Sequence, residues 1–116
     1  MNIFRKFFAY LRLREAIRMA NEALKTNGQR YYVMPHHGSG GKLIIMDRKN
    51  FRILKAKKYI SSEARISNLE GECFYCTPYR NGNGVLPKEV LHLKAQQYYL
   101  WVEHDRKLYK RKGCCR

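Results

Sequence analysis

Acidic residues are scarce in this chain: nine Asp and Glu stand against 24 Lys and Arg in 116 residues, a formal net charge of +15. So few carboxylates leave no pair spaced for acid–base work. No nucleophile with a nearby base and no dinucleotide fingerprint accompanies them, so the chain is not expected to be an enzyme. No run approaches the roughly 18 apolar residues that a membrane span requires. The four Cys form no recognisable framework, which points to a reducing cytoplasm and free thiols. The opening stretch from Met1 to Tyr10 mixes Arg5 and Lys6 into its apolar residues and is followed by no small-residue cleavage site, so no secretory leader is expected. Repeats and low-complexity segments are also missing.

The hydrophobic fraction of 45% and aromatic fraction of 13% are those of a chain that packs a core. Its length suits one domain, read as residues 1–112 with a frayed tail over 113–116. A charge this far from neutral repels itself in the compact state, and a polyanion that neutralises it is the natural partner. Nucleic acid, DNA or RNA, is the leading expectation because binding it releases condensed counterions.

Along the chain, residues 3–25 read as a helix, with Ile3, Phe7, Tyr10, Leu13, Ile17, Ala20 and Leu24 on one stripe and a C-terminal cap at Asn27 and Gly28. Residues 30–34 and 42–46 read as two strands of a hairpin. The apolar run from Leu43 to Met46 suggests the central strand, and Tyr31 to Met34 the edge. Asp47 stands where a helix N-cap belongs, before a short helix over 48–59 with Phe51, Leu54 and the stem of Lys58 on its apolar side. Ser67 and Glu70 have capping-box spacing ahead of Gly71, a turn of helix at most. Residues 72–77 read as a third strand, ended by Pro78 and the turn at Asn81-Gly82. Pro87 opens a long last helix with Leu91, Ala95, Tyr98, Val102 and Tyr109 near one stripe, flanked by Val90, Trp101 and Leu108. The expected fold is α+β: an N-terminal helix, a small antiparallel sheet of about three strands, a short middle helix and a long C-terminal helix.

The positive charge is unevenly spread. Residues 47–66 carry seven cations against two acids and residues 86–116 eight against three, whereas residues 67–85 carry one against two. The candidate phosphate contacts are therefore Arg48, Lys49, Arg52, Lys55, Lys57 and Lys58 on the middle helix, with Arg48, Arg52 and Lys55 forming a ridge. Arg106, Lys107, Lys110, Arg111 and Lys112 join them from the end of the last helix. Tyr31, Tyr32, Tyr75 and Tyr79 raise base stacking on an open sheet, but strand tyrosines more often pack, and no RNP-type motif is present.

Two other motifs suggest chemistry. Cys73-x-x-Cys76 admits packing, zinc or redox readings, in that order. Zinc needs four ligands, the other candidates His36, His37, Cys114 and Cys115 are distant, and on a regular strand the two thiols face opposite ways. The loop His36-His37-Gly38-Ser39-Gly40-Gly41-Lys42 resembles a phosphate cradle but fails the P-loop spacing, leaving a mobile hairpin loop whose amides and imidazoles serve an anion site.

The runs Asp47-Arg48-Lys49-Asn50-Phe51-Arg52-Ile53-Leu54-Lys55 and Glu72-Cys73-Phe74-Tyr75-Cys76-Thr77-Pro78-Tyr79-Arg80-Asn81-Gly82 resemble small basic proteins of unassigned role in phages and integrated elements of gut bacteria. The resemblance implies a phage or mobile-element context, in a bacterial cytoplasm or a virion, and carries no catalytic residue. The function expected is thus a non-enzymatic, nucleic-acid-binding accessory protein. Its rival is a structural or interaction protein that buries Phe4, Phe7 and Phe8 of the first helix and Tyr98, Tyr99 and Trp101 of the last against another chain. A membrane-surface role for the first helix ranks last, because its apolar periodicity suits a core.

Overall fold

The structure is a computed structural model that describes residues 2–36, 39–58 and 65–114, with side chains described except for residues 66, 67 and 108–114. Its elements are α1 (Ile3–Asn27), β1 (Tyr32–Pro35), β2 (Leu43–Met46), α2 (Arg48–Ala56), α3 (Ile66–Glu72), β3 (Tyr75–Cys76) and α4 (Lys88–Cys114). The α+β architecture expected from sequence is the one observed. None of the described helices is long and apolar enough to cross a membrane.

The sheet is antiparallel in the order β2-β1-β3, so β1 is central and β2 lies at an edge, the reverse of the sequence expectation. Both strands are apolar runs; what separates them is cover. Tyr32, Val33 and Met34 of β1 are all buried, whereas Ile44 of β2 is exposed. Pro35 sits at the end of β1 beyond its pairing with β3, where its missing N–H interrupts no β1–β3 hydrogen bond.

Side chains alternate across the sheet as a two-residue period demands. Val33, Leu43, Ile45 and Tyr75 turn to the layer made by α1 and α4, where they meet Leu13, Phe74, Tyr98 and Val102. Tyr32, Met34, Met46 and Cys76 turn to the opposite layer, where they meet Phe51 of α2 and Leu69 of α3. The sheet thus separates two cores.

The first helix covers the later part of the expected stripe, Leu13, Ile17 and Ala20, but not its opening residues. Ala9, Leu13, Ala16 and Ala20 are buried, at helical steps of three and four, while Ile3 is 78% and Phe4 72% exposed and Phe7, Phe8 and Tyr10 also face outward. The alanines carry little side-chain bulk and let the helix lie close to the sheet. Its end follows the expectation: Gly28 takes the left-handed conformation (φ 70°) and donates its N–H to Leu24 O at 2.7 Å.

The Asp47 carboxylate caps α2 as expected, accepting from Asn50 N at 2.8 Å. The helix stops at Ala56, earlier than expected, with Lys58 at φ 65°; Tyr59 lies outside the described residues. α3 begins at Ile66 with Arg65 as its N-cap in place of Ser67, and runs through Gly71 to Glu72. Asn68 Oδ1 accepts from Arg65 N at 2.7 Å, closing the first turn. This longer helix consumes the start of the expected third strand, leaving β3 two residues long. α4 continues through Gly113 and Cys114, residues read from sequence as tail, while Leu108 and Tyr109 fall outside the described side chains.

Candidate nucleic-acid interface

The expected binding residues fall into two groups on opposite sides of the sheet. Arg48, Lys49, Arg52, Lys55, Lys57 and Lys58 ride on or just beyond α2, which packs against the second core through Phe51. Arg106 and Lys107 ride on α4, which packs against the first core through Tyr98 and Val102. The side chains of Lys110, Arg111 and Lys112 lie outside the described residues. A single surface running through both groups is therefore not formed by the described side chains. The α2 group has its own continuation.

That continuation is a cleft of about 320 Å³ lined by Gly28, Gln29, Arg30, Arg48, Tyr79, Arg80 and Asn81. A second cleft, of about 270 Å³, adjoins it through Gly28 and Arg80 and is lined by Lys25 and the last turn of α1. Four cations, Lys25, Arg30, Arg48 and Arg80, border the combined groove, and among the described residues no carboxylate lines it, although Arg30 is paired with Glu70 behind it. At 100° per residue, Arg52 and Lys55 stand nearly in line with Arg48, so the ridge of α2 extends the groove.

Each lining element has a local reason to be there. Asp47 starts α2 at the position that hands Arg48 to the cleft. Gly28 ends α1 and leaves room for Arg80, whose Cδ lies 3.3 Å from where a Gly28 Cβ would stand. The loop over residues 79–84 is closed by Tyr79 N donating to Asn83 O at 2.7 Å and Gly82 N to Tyr79 O at 2.8 Å. Gly84 (φ 82°) permits the loop to fold under Tyr79, since a Cβ there would stand 2.9 Å from the ring.

Arg30 and Arg48 play different parts. Arg30 is a structural tie. Its guanidinium donates to Thr77 O at 2.8 Å, Cys76 Sγ at 3.3 Å, Gly84 O at 3.4 Å and Glu70 at 3.1 Å, and lies 4.3 Å from the Tyr79 ring centroid. Coulombic attraction from Cys76, Tyr32, Tyr79 and Glu70 outweighs the cost of its burial and raises its pKa. In Arg48, by contrast, Nε is buried with no hydrogen-bond partner among the described residues. A donor buried in that way is stabilised by any acceptor that enters the cleft.

Tyr31 and Tyr32 are core residues and Tyr75 is half-buried, with helices covering both sheet faces, so the sheet is no stacking platform. Tyr79 is the exposed member of the four, and it presents its ring in the groove with Arg30 against it.

The hairpin loop read as an anion cradle does bind a carboxylate, and that carboxylate is the protein's own. Asp105 of α4 accepts from Gly40 N at 2.9 Å and Gly41 N at 3.1 Å, while Tyr98 donates its hydroxyl to Gly41 O at 2.9 Å. Ser39 hydrogen-bonds His36 O and accepts from Lys42 N. His37 and Gly38 lie outside the described residues.

Cys73 and Cys76 do not alternate across a strand as expected. Cys73 is the C-cap of α3 and Cys76 ends β3, so both thiols enter the same core. The Cys73 thiol donates to Glu70 O at 3.4 Å, and Cys76 Sγ accepts from Arg30 Nη2 at 3.3 Å. Among the described residues, no set of three or more His, Cys, Asp or Glu gathers around a metal position, and the cations Arg30 and Lys94 are what approach these sulfurs. Cys114 and Cys115 contribute no described side chain.

No family, curated protein or solved structure compared with the chain matches it.

Arg30, Arg80 and Lys25 escaped the sequence reading because they lie outside the two segments, 47–66 and 86–116, that the charge count singled out. Arg80 is the single cation of residues 67–85. The signal available was its place between Tyr79 and the Asn81-Gly82 turn, which puts an arginine and an aromatic together at a loop tip.

Proposed function

We propose that the protein is a non-enzymatic nucleic-acid-binding accessory protein that holds the sugar-phosphate backbone in the groove between the end of α1, the 79–84 loop and α2. The observation that supports this reading is the run of Lys25, Arg80 and Arg48 along a groove that no carboxylate lines among the described residues. Phosphate oxygens meet guanidinium groups in fork geometry, and Tyr79 offers a ring face to a base or sugar. Backbone contact of this kind gives affinity with little sequence preference. The test is a titration of duplex DNA, single-stranded DNA and structured RNA at two salt concentrations, comparing the native chain with the pair Arg48→Glu and Arg80→Glu. Affinity and salt slope should both fall in the double variant, while reversing Arg106 and Lys107 should do less. Unchanged binding by the double variant refutes the groove.

One observation favours a second reading, an interaction or virion structural protein. Ile3, Phe4, Phe7, Phe8 and Leu11 are all exposed along the first turns of α1, an apolar surface of a size that commonly marks a contact site. The same exposure removes the reason for assigning these residues to the core. A photoreactive phenylalanine at position 8 should form one discrete protein adduct in cells under this reading. Flotation of the purified chain with anionic liposomes, lost on Phe4→Ser and Phe8→Ser, would assign the surface to lipid instead.

A further inference from the structure

Cys73 and Cys76 are brought together by the two elements that meet between them. Cys73 leaves α3 in an extended conformation (φ −69°, ψ 153°), and Cys76 pairs with Tyr32 in the sheet. Both side chains are buried in one cluster with Met34 and Leu69, and the Cys73 thiol donates to Glu70 O at 3.4 Å. A different cation attends each sulfur. Arg30 Nη2 lies 3.3 Å from Cys76 Sγ, and Lys94 Nζ lies 3.6 Å from Cys73 Sγ. Lys94 is held there by donating to Cys73 O at 2.9 Å and Glu70 O at 3.1 Å. Neither sulfur hydrogen-bonds a carboxylate among the described residues; Glu70 turns its side chain to Arg30 instead.

This is more than packing requires. Two apolar thiols fill a core without ammonium and guanidinium groups aimed at them, and two cations disfavour a dication at the same point. They favour a thiolate. The pair is also asymmetric: the Cys73 hydrogen bond, then Arg30 and Lys94, lower the Cys76 pKa to about 6 against the opposing effect of burial, while the Cys73 pKa is pushed upward by its bond to Cys76 and by burial. These directions make Cys76 the better nucleophile of the two and favour the protonated form of Cys73.

We propose that Cys73 and Cys76 form a reversible dithiol–disulfide couple, in which Cys76 reacts with a small hydroperoxide and Cys73 resolves the product. The Cys76 thiolate attacks the terminal peroxide oxygen, and the O–O bond breaks. Sulfur is oxidised to the sulfenic acid, and the peroxide is reduced to an alkoxide, or to hydroxide from hydrogen peroxide, which takes a proton from solvent. Cys73 sulfur then attacks Cys76 sulfur, the S–O bond breaks, and the departing hydroxide takes up the Cys73 proton as water. The sum is dithiol plus hydroperoxide to disulfide plus alcohol and water. A thiol reductant reverses it by exchange. Cys76 is 3% exposed, so the site admits hydrogen peroxide and excludes bulky aromatic disulfides.

The experiment uses the full chain carrying Cys114→Ser and Cys115→Ser, which leaves Cys73 and Cys76 as the remaining thiols. Equimolar hydrogen peroxide should remove both alkylatable thiols, lower the intact mass by two hydrogens without forming a dimer, and be reversed by dithiothreitol. An aromatic disulfide should react far more slowly. The oxidation rate should rise with pH through a midpoint near 6, and Arg30→Gln should move that midpoint upward, a shift that a merely structural Arg30 would not produce. Adding Cys73→Ser should halt the reaction at a sulfenic acid on Cys76, trapped by dimedone. Thiols that react with hydrogen peroxide only after unfolding, or a sulfenic acid found on Cys73, overturn the proposal; neither observation depends on the Cys73 variant folding.

Discussion

The hairpin loop at Gly40 and Gly41 and the groove at Arg48 and Arg80 both present hydrogen-bond donors to an anion, but the fold treats them differently. The loop is closed by Asp105, a carboxylate reaching from α4 into the two backbone amides. Asp105 is 1% exposed, so this anion is fixed inside the molecule. Among the described residues the groove has no acid on its walls, and its Arg48 keeps a buried donor unpartnered. A donor satisfied from within holds the fold together, and the proposed binding would draw on those left unsatisfied. Glycine-rich composition pointed at the first place, and of the second the charge count pointed at Arg48 but not at Arg80.

Six substitutions sharpen this contrast. The largest effect on stability should come from Asp105→Ala, which leaves two amides without their acceptor and costs about 2–3 kcal/mol. Asp105→Asn keeps an acceptor oxygen and should cost less; urea denaturation of the two variants measures the difference. Gly41→Ala should follow, at about 1–3 kcal/mol, because Gly41 has φ 108° and an added Cβ would stand 3.2 Å from Val102. The same denaturation series checks it.

On the groove side the expectation reverses. Arg48→Glu and Arg80→Glu should leave the urea midpoint within error of the native chain and weaken nucleic-acid binding on the order of tenfold per site, each lost phosphate contact also flattening the salt slope by about 0.9. If these variants unfold the protein while Asp105→Ala spares it, the assignment of structural and binding roles is inverted. The smallest effect should be a gain. The Tyr32 hydroxyl is buried with no partner among the described residues, so Tyr32→Phe should stabilise the fold by about 1 kcal/mol in thermal unfolding.

Local signals in the sequence located the elements well. Gly28 ends α1, Asp47 starts α2, and the alternation through residues 31–34 is that of a strand. What they did not carry was which neighbour covers which face. Tyr32-Val33-Met34 and Leu43-Ile44-Ile45 are equally apolar, and only tertiary packing makes the first the centre of the sheet and the second its edge. On α1 the expected stripe is open over Ile3, Phe7 and Tyr10 and covered from Leu13 onward, where close approach to the sheet also buries Ala9 and Ala16. The groove was only partly legible for a related reason: counting charge by segment found Arg48, but Lys25, Arg30 and Arg80 come from other stretches of chain and the count could not bring the four together. The cysteine pair was misjudged through one local error, since a helix ending at Glu72 rather than a strand beginning there puts both thiols on one side.

Arg30 reaches residues that lie forty or more positions further along the chain, Glu70, Cys76, Thr77 and Gly84, through a single planar group. The segment from Thr77 to Gly84 has no strand or helix of its own, so its shape is inherited from one side chain anchored near the start of β1. A lysine there would conserve the charge and surrender the fork, leaving the loop to open independently while the rest of the domain stayed closed. Amide exchange over residues 79–84 would then accelerate ahead of global unfolding, making this arginine the latch whose release frees the rim of the groove.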